Sequence, residues 1–208
     1  GLGDVYKRQI YDSADSLRLI TQVAKQHELD PKRFAPKAIQ HKISALKNEL
    51  VDDETYLARA SSTDPFESAV AQVYRGYTQR LRAANAMDFD DLIGETVHMF
   101  RAFPQVLEYY RRRFRHVLVD EYQDTNHAQY ALVRELVGGN SPGHTDESGI
   151  PAAELTVVGD SDQSIYAFRG ADIRNITDFE RDFPSARTIL LEQNYRSTQN
   201  ILCLLYTS

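Results

Sequence analysis

Apolar residues in the first half of the chain recur at the three- and four-residue spacing of amphipathic helices. Four such faces consist of Leu17, Ile20, Val23 and Ala24; of Ile39, Ile43, Leu46 and Leu50, after Pro36; of Phe66, Ala69, Val70, Val73, Tyr77 and Leu81; and of Phe89, Leu92, Ile93, Thr96 and Phe100. Asp64-Pro65 predicts the start of the third helix, with Asp64 as N-cap and Pro65 in the first turn. The first half is therefore predicted to be helical.

The second half contains three short runs of β-branched or leucine residues: Val117–Val119, Leu155–Val158 and Thr188–Leu191. None of them alternates with polar residues, which is typical of parallel strands covered on both faces. Helical faces lie between the runs, comprising Ala128, Ala131, Leu132 and Leu136, ended by Gly138, and then Ile173, Ile176 and Phe179, ended near Pro184. This alternation predicts an α/β fold with a parallel sheet and right-handed crossovers.

A polar cluster follows each predicted strand. The three clusters span residues 120–124, 159–170 and 192–197. Ligands of open α/β sheets bind beyond the carboxyl ends of the strands, so we expect the clusters to converge on one edge of the sheet.

Composition and charge leave several classes of protein open. The 208 residues are 42% hydrophobic and 26% charged, which is ordinary for a globular protein. The net charge of −6 argues only weakly against nucleic-acid binding, because a local groove is sufficient for it. The single cysteine, Cys203, excludes an internal disulfide and a cysteine-based metal cluster. No apolar run approaches the roughly 20 residues of a membrane span, so we expect a cytoplasmic protein.

Two adjacent carboxylates follow the first predicted strand. One carboxylate of the pair Asp120 and Glu121 could hold a hydrated Mg²⁺, and the other could polarise an attacking water. The alternative is that both acids only favour the start of the helix after Asn126, through the helix dipole. The other two polar clusters favour the catalytic interpretation.

Further along, Tyr166 and Phe168, with Arg169 beside them, could stack on bases and contact phosphates. Equally, Phe168 could belong to the core, with Tyr166 as a half-buried spacer. Arg196 lies between a predicted strand and a helix start, where it could meet a phosphate or form a surface salt bridge.

Several segments resemble the motifs of a known family. The segments VLVDEYQDTN, VVGDSDQSIYAFRGAD and LEQNYRST are similar to helicase motifs II, III and IV of the UvrD/PcrA/Rep family of superfamily 1 DNA helicases. MDFDDLI and ISALKNEL also resemble family segments. The resemblance runs from about Ile10 to Leu202, in the order of the family, and is strongest toward actinobacterial members. It identifies the chain as an internal fragment of such a helicase.

The resemblance implies a role for each matching residue. Asp120 would hold Mg²⁺ and Glu121 would activate the hydrolytic water. Gln163 would contact the γ-phosphate, and Arg196 would act as the arginine finger. The remaining assignments are Tyr195 stacking on the adenine of ATP, and Tyr166, Phe168 and Arg169 facing single-stranded DNA. Family members usually carry Trp where this chain has Phe168, so we expect a weaker stacking platform.

The resemblance also implies an architecture and a function. Residues 10–87 would form a helical accessory subdomain, similar to subdomain 1B, and residues 88–202 part of the first RecA-like motor domain, 1A. The implied activity is ATP-dependent 3′-to-5′ translocation along single-stranded DNA up to duplex junctions, in repair or replication in the bacterial cytoplasm, without a membrane. Residues 1–9 and 203–208 fit neither the family nor the neighbouring periodicity, and we expect them to be non-native.

The chain contains no GxxxxGK[ST] phosphate-binding loop, so we expect it not to hydrolyse ATP by itself. Two other functions stay open. One is a non-catalytic module that binds DNA or a partner. The other, which the lack of a nearby lysine disfavours, is a metal-dependent nuclease using Asp120, Glu121, Asp160 and Asp162.

Overall fold

The structure is a computed structural model, which describes residues 9–61, 63–138, 149–160, 179, 181–191, 193, 195 and 198. In chain order its elements are β1 (Gln9–Tyr11), α1 (Ser13–Gln26), α2 (Pro36–Asn48), α3 (Asp53–Arg59), α4 (Pro65–Ala83), β2 (Ala86–Asp88), α5 (Phe89–Ala102), α6 (Pro104–Arg113), β3 (His116–Val119), α7 (His127–Val137) and β4 (Glu154–Val157). Within this part of the chain, no helix is long and apolar enough to cross a membrane.

Helices α1 to α4 enclose the principal apolar core. Its largest fully buried side chains are Ile20, Val23, Ile39, Ile43, Val70, Val73 and Tyr77. All seven belong to the apolar faces predicted from the sequence. The predicted start of α4 is also confirmed, because the Asp64 side chain accepts the backbone N–H groups of Phe66 and Glu67.

The predicted face of α5 is only partly correct. Phe100 is buried, but Phe89 is 61% exposed, and Val97 is the other buried residue of this helix. Helix α5 packs against α2, α6 and α7, and its two buried residues, Val97 and Phe100, both lie in its second half.

Strands β3 and β4 pair in parallel, as the sequence predicts, with Val117 opposite Leu155 and Val119 opposite Val157. Their faces are not covered on both sides, however. Residues in each strand alternate between exposed and half-buried, and Leu118 is 77% exposed. Burial on both faces needs more covering elements than the described residues supply.

The prediction of a third strand at Thr188–Leu191 is wrong. Residues 188–191 adopt no regular secondary structure, and Ile189, Leu190 and Leu191 are 67%, 76% and 80% exposed. A strand requires a neighbour to satisfy its backbone hydrogen bonds. Among the residues that the structure describes, β3 and β4 pair with each other and neither pairs with this run.

A buried polar cluster joins the two halves of the chain. Lys47, at the end of α2, is 8% exposed, and its Nζ donates to Asp88 Oδ2 at 2.6 Å and to Asp91 Oδ1 at 2.7 Å. Tyr77 Oη donates to Asp88 Oδ2 at 2.8 Å, and Ser16 Oγ lies 3.0 Å from the same phenol oxygen. Lys47 Nζ also lies 5.0 Å from the centre of the Tyr77 ring. Four helices therefore meet around one ammonium group.

Burial and charge act in opposite directions on the two carboxylates. Burial alone would raise the pKa of Asp88, but the Lys47 ammonium and the hydrogen bonds that the carboxylate accepts lower it overall. Burial raises the pKa of Asp91, against the opposing influence of Lys47. Asp88 and Asp91 also form a reciprocal capping box at the start of α5. The cluster thus fixes the N-terminus of α5 on the end of α2.

Replacing Lys47 by Met should strongly destabilise the fold, because it leaves the buried carboxylate of Asp88 and the partly buried carboxylate of Asp91 without a cation. The expected loss is about 3–5 kcal/mol in the free energy of unfolding. Asp91→Asn should cost less, since Lys47 keeps its partner Asp88. Urea denaturation followed by circular dichroism measures both values, and equal losses for the two variants would contradict this account.

Gly76 lies where α4 approaches α1 most closely. A Cβ atom at this position would lie 2.7 Å from Cγ1 of Val23, a stiff and fully buried side chain. Gly76→Ala should therefore destabilise the protein, although alanine favours a helix by about 1 kcal/mol over glycine. Gly94→Ala in α5 is the matched control, because its nearest neighbour would be Leu50 Cδ2 at 3.9 Å. Melting temperatures should fall for Gly76→Ala and rise for Gly94→Ala, and a rise for both would contradict the close approach.

Candidate functional site

The carboxyl ends of β3 and β4 meet at one edge because the two strands are parallel and in register. Val158 N donates to Val119 O at 2.8 Å, and Tyr122 N donates to Val158 O at 2.9 Å. The first polar cluster and the beginning of the second therefore lie side by side. Asp120, Glu121 and Asp160 are all exposed at this edge.

Gln123 connects these two segments through its side chain, a role that no pattern in the sequence predicts. Its Nε2 donates to Glu121 Oε2 at 2.7 Å, and its Oε1 accepts the backbone N–H of Asp160 at 3.0 Å. The residue is 1% exposed. A buried amide that bonds both segments fixes the carboxylate of Glu121 relative to the end of β4.

Gly159 makes the Gln123 bridge sterically possible. A Cβ atom on this residue would lie 2.7 Å from Gln123 Oε1 and 3.3 Å from the backbone nitrogens of Tyr122 and Gln123. A larger residue would therefore displace the Gln123 amide that accepts the Asp160 N–H. Glycine permits this close contact because it has no Cβ atom.

The loop that carries Glu121 has an unusual backbone. Glu121 adopts a left-handed conformation, with φ 50° and ψ 45°, which is uncommon outside glycine and is associated with functional sites. A short 3₁₀ turn over Tyr122–Asp124 follows, in which Asp124 N donates to Glu121 O at 2.9 Å. Thr125 Oγ1 closes the turn by donating to Tyr122 O at 2.7 Å. This backbone directs the Glu121 side chain toward Gln123.

The two adjacent acids do not start the following helix. Helix α7 begins at His127, its N-cap is Asn126, and its first turn contains no acidic residue. The Asn126 side chain accepts the N–H of Gln129, and the Gln129 side chain accepts that of Asn126. Since this capping box provides acceptors for backbone N–H groups at the start of the helix, Asp120 and Glu121 are not needed there.

Oxygen ligands are present at this edge for a hard cation such as Mg²⁺. Asp120 is exposed, and Asp124 Oδ1 is buried without a hydrogen-bond partner in the described part of the chain. The same part contains no group of three or more His, Cys, Asp or Glu side chains positioned around a metal. Mg²⁺ in nucleotide sites commonly takes one or two carboxylates, with water and phosphate completing its shell, so the residues fit this ion.

The structure places the other predicted site residues only in part. Tyr195 is 86% exposed, and its Oη donates to Gln193 Oε1 at 3.1 Å. The other predicted residues, which are Gln163, Tyr166, Phe168, Arg169 and Arg196, lie outside the described residues, as does Asp162.

A concavity of about 360 Å³ lies along α7 and is lined by none of the residues at the strand ends. Its lining includes Arg101, Arg111, Arg134 and Glu135. The guanidinium groups face carboxylates: Arg101 Nε donates to Glu135 Oε1 at 2.9 Å, and Arg134 Nη1 lies 3.9 Å from Asp182 Oδ2. We assign this basic cleft a structural role, joining α5, α6 and α7.

Comparison with known proteins points in one direction. The sequence profile of the family described as "UvrD/REP helicase N-terminal domain" matches residues 6–184. The chain is 65% identical over 194 residues to "ATP-dependent DNA helicase UvrD1" of Mycobacterium tuberculosis (strain ATCC 25618 / H37Rv), covering 93% of this chain and 24% of that protein. The corresponding protein of Mycobacterium leprae (strain TN) is 62% identical over 194 residues, covering 93% of this chain and 25% of that protein.

A more distant relative is "ATP-dependent DNA helicase PcrA" of Bacillus subtilis (strain 168), 47% identical over 193 residues, covering 93% of this chain and 24% of that protein. The chain thus spans about a quarter of the length of these relatives. The family profile covers most of the chain. The segments that resembled motifs II and III include the residues that follow β3 and β4. This chain belongs to the UvrD/REP helicase family, whose N-terminal domain is a RecA-like motor domain.

Proposed function

We propose that the chain is part of an ATP-dependent DNA helicase and that the edge formed by β3 and β4 contributes to its ATP-hydrolysing site. The observation that carries this proposal is the Gln123 bridge, which holds the Glu121 carboxylate beside the end of β4. The names of the relatives, all ATP-dependent DNA helicases, support the same activity.

In this proposal Glu121 accepts a hydrogen bond from the attacking water and draws off its proton as the water approaches the γ-phosphate. Gln123 keeps the carboxylate from rotating away. Asp120 would hold Mg²⁺, which would offset negative charge on the phosphates. Fixing these groups before ATP binds reduces the reorganisation needed during the reaction.

The remaining assignments rest on the family resemblance. Gln163 contacts the γ-phosphate, Arg196 stabilises charge in the transition state, and Tyr195 stacks on the adenine. The side chains of Tyr166, Phe168 and Arg169 bind single-stranded DNA. Residues 10–87 act as the accessory subdomain and residues 88–202 as part of the motor domain, with non-native residues at 1–9 and 203–208.

The whole protein, in this proposal, moves 3′ to 5′ on single-stranded DNA, meets duplex junctions and works in repair or replication in the bacterial cytoplasm. The 208-residue chain by itself does not hydrolyse ATP at a useful rate, because it contains no GxxxxGK[ST] segment to hold the phosphates. Experiments on catalysis therefore require the full-length protein that contains this chain.

Glu121→Gln in the full-length protein should lower kcat for ATP hydrolysis in the presence of single-stranded DNA by at least about 100-fold, because an amide cannot act as the base. ATP binding should persist. The matched control is Glu154→Gln, whose side chain is 79% exposed on β4. Steady-state ATPase assays measure the effect. Near wild-type turnover in Glu121→Gln would overturn the assignment of the base.

Gln123→Ala should lower kcat about tenfold, because the Glu121 carboxylate loses its fixed donor. Gln123→Glu should be at least as impaired, since it places a second carboxylate beside Glu121 while keeping an acceptor for Asp160 N–H. The same ATPase assay, with melting temperatures measured in parallel, compares the variants. If both retained wild-type kcat, Gln123 would have no part in positioning Glu121.

A further inference from the structure

One side-chain hydrogen bond joins α2 to the loop that carries Glu121. Asn126 Nδ2 donates to Asn48 Oδ1 at 2.9 Å, across 78 positions of sequence, and both residues are partly buried. The orientation of the Asn126 amide is set independently, because its Oδ1 accepts the N–H of Gln129 at 2.9 Å. Its Nδ2 is therefore the atom that faces Asn48.

Asn48 itself is held on a rigid support. It is the last residue of α2 and directly follows Lys47, whose buried ammonium binds Asp88 and Asp91. Because Lys47 is held by two carboxylates at once, the end of α2 cannot shift without separating buried charges. Asn48 thus presents its acceptor oxygen from a fixed point.

Asn126 lies at the end of the loop that carries Glu121. Thr125, its neighbour, is tied to Tyr122 O by its side chain and by its backbone N–H, and Asp124 N donates to Glu121 O. The loop therefore has two attachments. At its start, Tyr122 and Gln123 bond to the end of β4; at its end, Asn126 bonds to α2 and caps α7.

We propose that Asn48 is a positioning residue for Glu121 in ATP hydrolysis: by holding Asn126, it fixes the far end of the loop on which the general base lies. Its role in catalysis rests on the proposed function. The hydrogen bond to Asn126 restrains the 3₁₀ turn, and the turn sets the left-handed backbone of Glu121. Residues near the end of α2, in the helical half of the chain, thereby influence turnover without contacting nucleotide.

Three variants of the full-length protein separate positioning from simple stabilisation. Asn48→Ala removes the acceptor, whereas Asn48→Asp keeps a carboxylate oxygen in its place. Asn126→Ser removes the Nδ2 donor but keeps an oxygen that caps α7. Glu49→Ala is the control, because this neighbouring side chain is exposed at the same helix end.

We expect Asn48→Ala and Asn126→Ser to lower kcat for DNA-stimulated ATP hydrolysis about fivefold, the size expected for loss of one hydrogen bond. KM for ATP should change little, and the melting temperature should fall by no more than the loss of one partly buried hydrogen bond explains, so that both variants stay folded in the assay. Asn48→Asp and Glu49→Ala should keep wild-type kcat, and the double variant Asn48→Ala/Asn126→Ser should be no worse than either single variant. Wild-type kcat in Asn48→Ala, or an equal loss in Asn48→Asp, would overturn the proposal.

Hydrogen exchange provides a readout that does not depend on activity. Amide exchange in a peptide spanning residues 120–126 should be faster in Asn48→Ala and Asn126→Ser than in wild type, and unchanged in Asn48→Asp. Unchanged exchange in the first two variants would overturn the positioning role. If wild-type protein showed no DNA-stimulated ATPase while exchange changed as expected, the proposed function would fail and the positioning of the loop would stand.

Discussion

The parallel pairing of β3 and β4 is the constraint on which the candidate site depends. In register, with Val117 opposite Leu155, the two strands must end at the same edge, so the residues that follow them become neighbours. An antiparallel pair would put the end of one strand beside the start of the other. The acidic loop after β3 and the Gly159-Asp160 segment after β4 can then share one buried amide, that of Gln123. The direction of the strands, more than any single side chain, determines which groups meet at this edge.

Buried and partly buried polar contacts connect this edge to the helical half of the chain. Lys47 with its two carboxylates, Asn48 with Asn126, and Gln123 with Glu121 form successive links from α2 to the strand ends. Such contacts are strongly directional, and each becomes costly when one partner is lost inside a poorly solvated region. Apolar packing between α2, α5 and α7 brings the elements together, but it would allow one helix to shift slightly along another. The polar links remove that freedom.

Much of the fold could be predicted because single patterns determine it. The apolar faces of α1, α2 and α4, the Asp64 cap and the parallel pairing of β3 and β4 all depend on local periodicity or on element order. Helices α3 and α6 and the three-residue strands β1 and β2 are too short or too polar for such patterns, so they were not predicted. Run 188–191 has the composition of a strand but no partner strand among the described residues, and composition alone cannot supply one.

The candidate site was predictable only in its outline. Asp120 and Glu121 could be located because acids directly after a predicted strand have few structural reasons to be there. Gln123 and Lys47 were missed, since a buried amide or ammonium is defined by partners 37 to 44 positions away in the sequence. The one signal for Gln123 was its place inside a recognised motif, and the signal for Lys47 was the ISALKNEL segment, which resembled the family without a role attached.

If Glu121 is the general base, ATP must bind at the carboxyl ends of β3 and β4, with its γ-phosphate facing Glu121. The most direct measurement is a crystal structure of the full-length protein with Mg²⁺ and a non-hydrolysable ATP analogue. We expect Mg²⁺ at Asp120. We expect Glu121 within hydrogen-bond reach of a water in line with the γ-phosphate, with Gln123 still bonded to Glu121. A nucleotide bound elsewhere, or Glu121 too far from the γ-phosphate for one water to bridge them, would contradict this assignment of the general base.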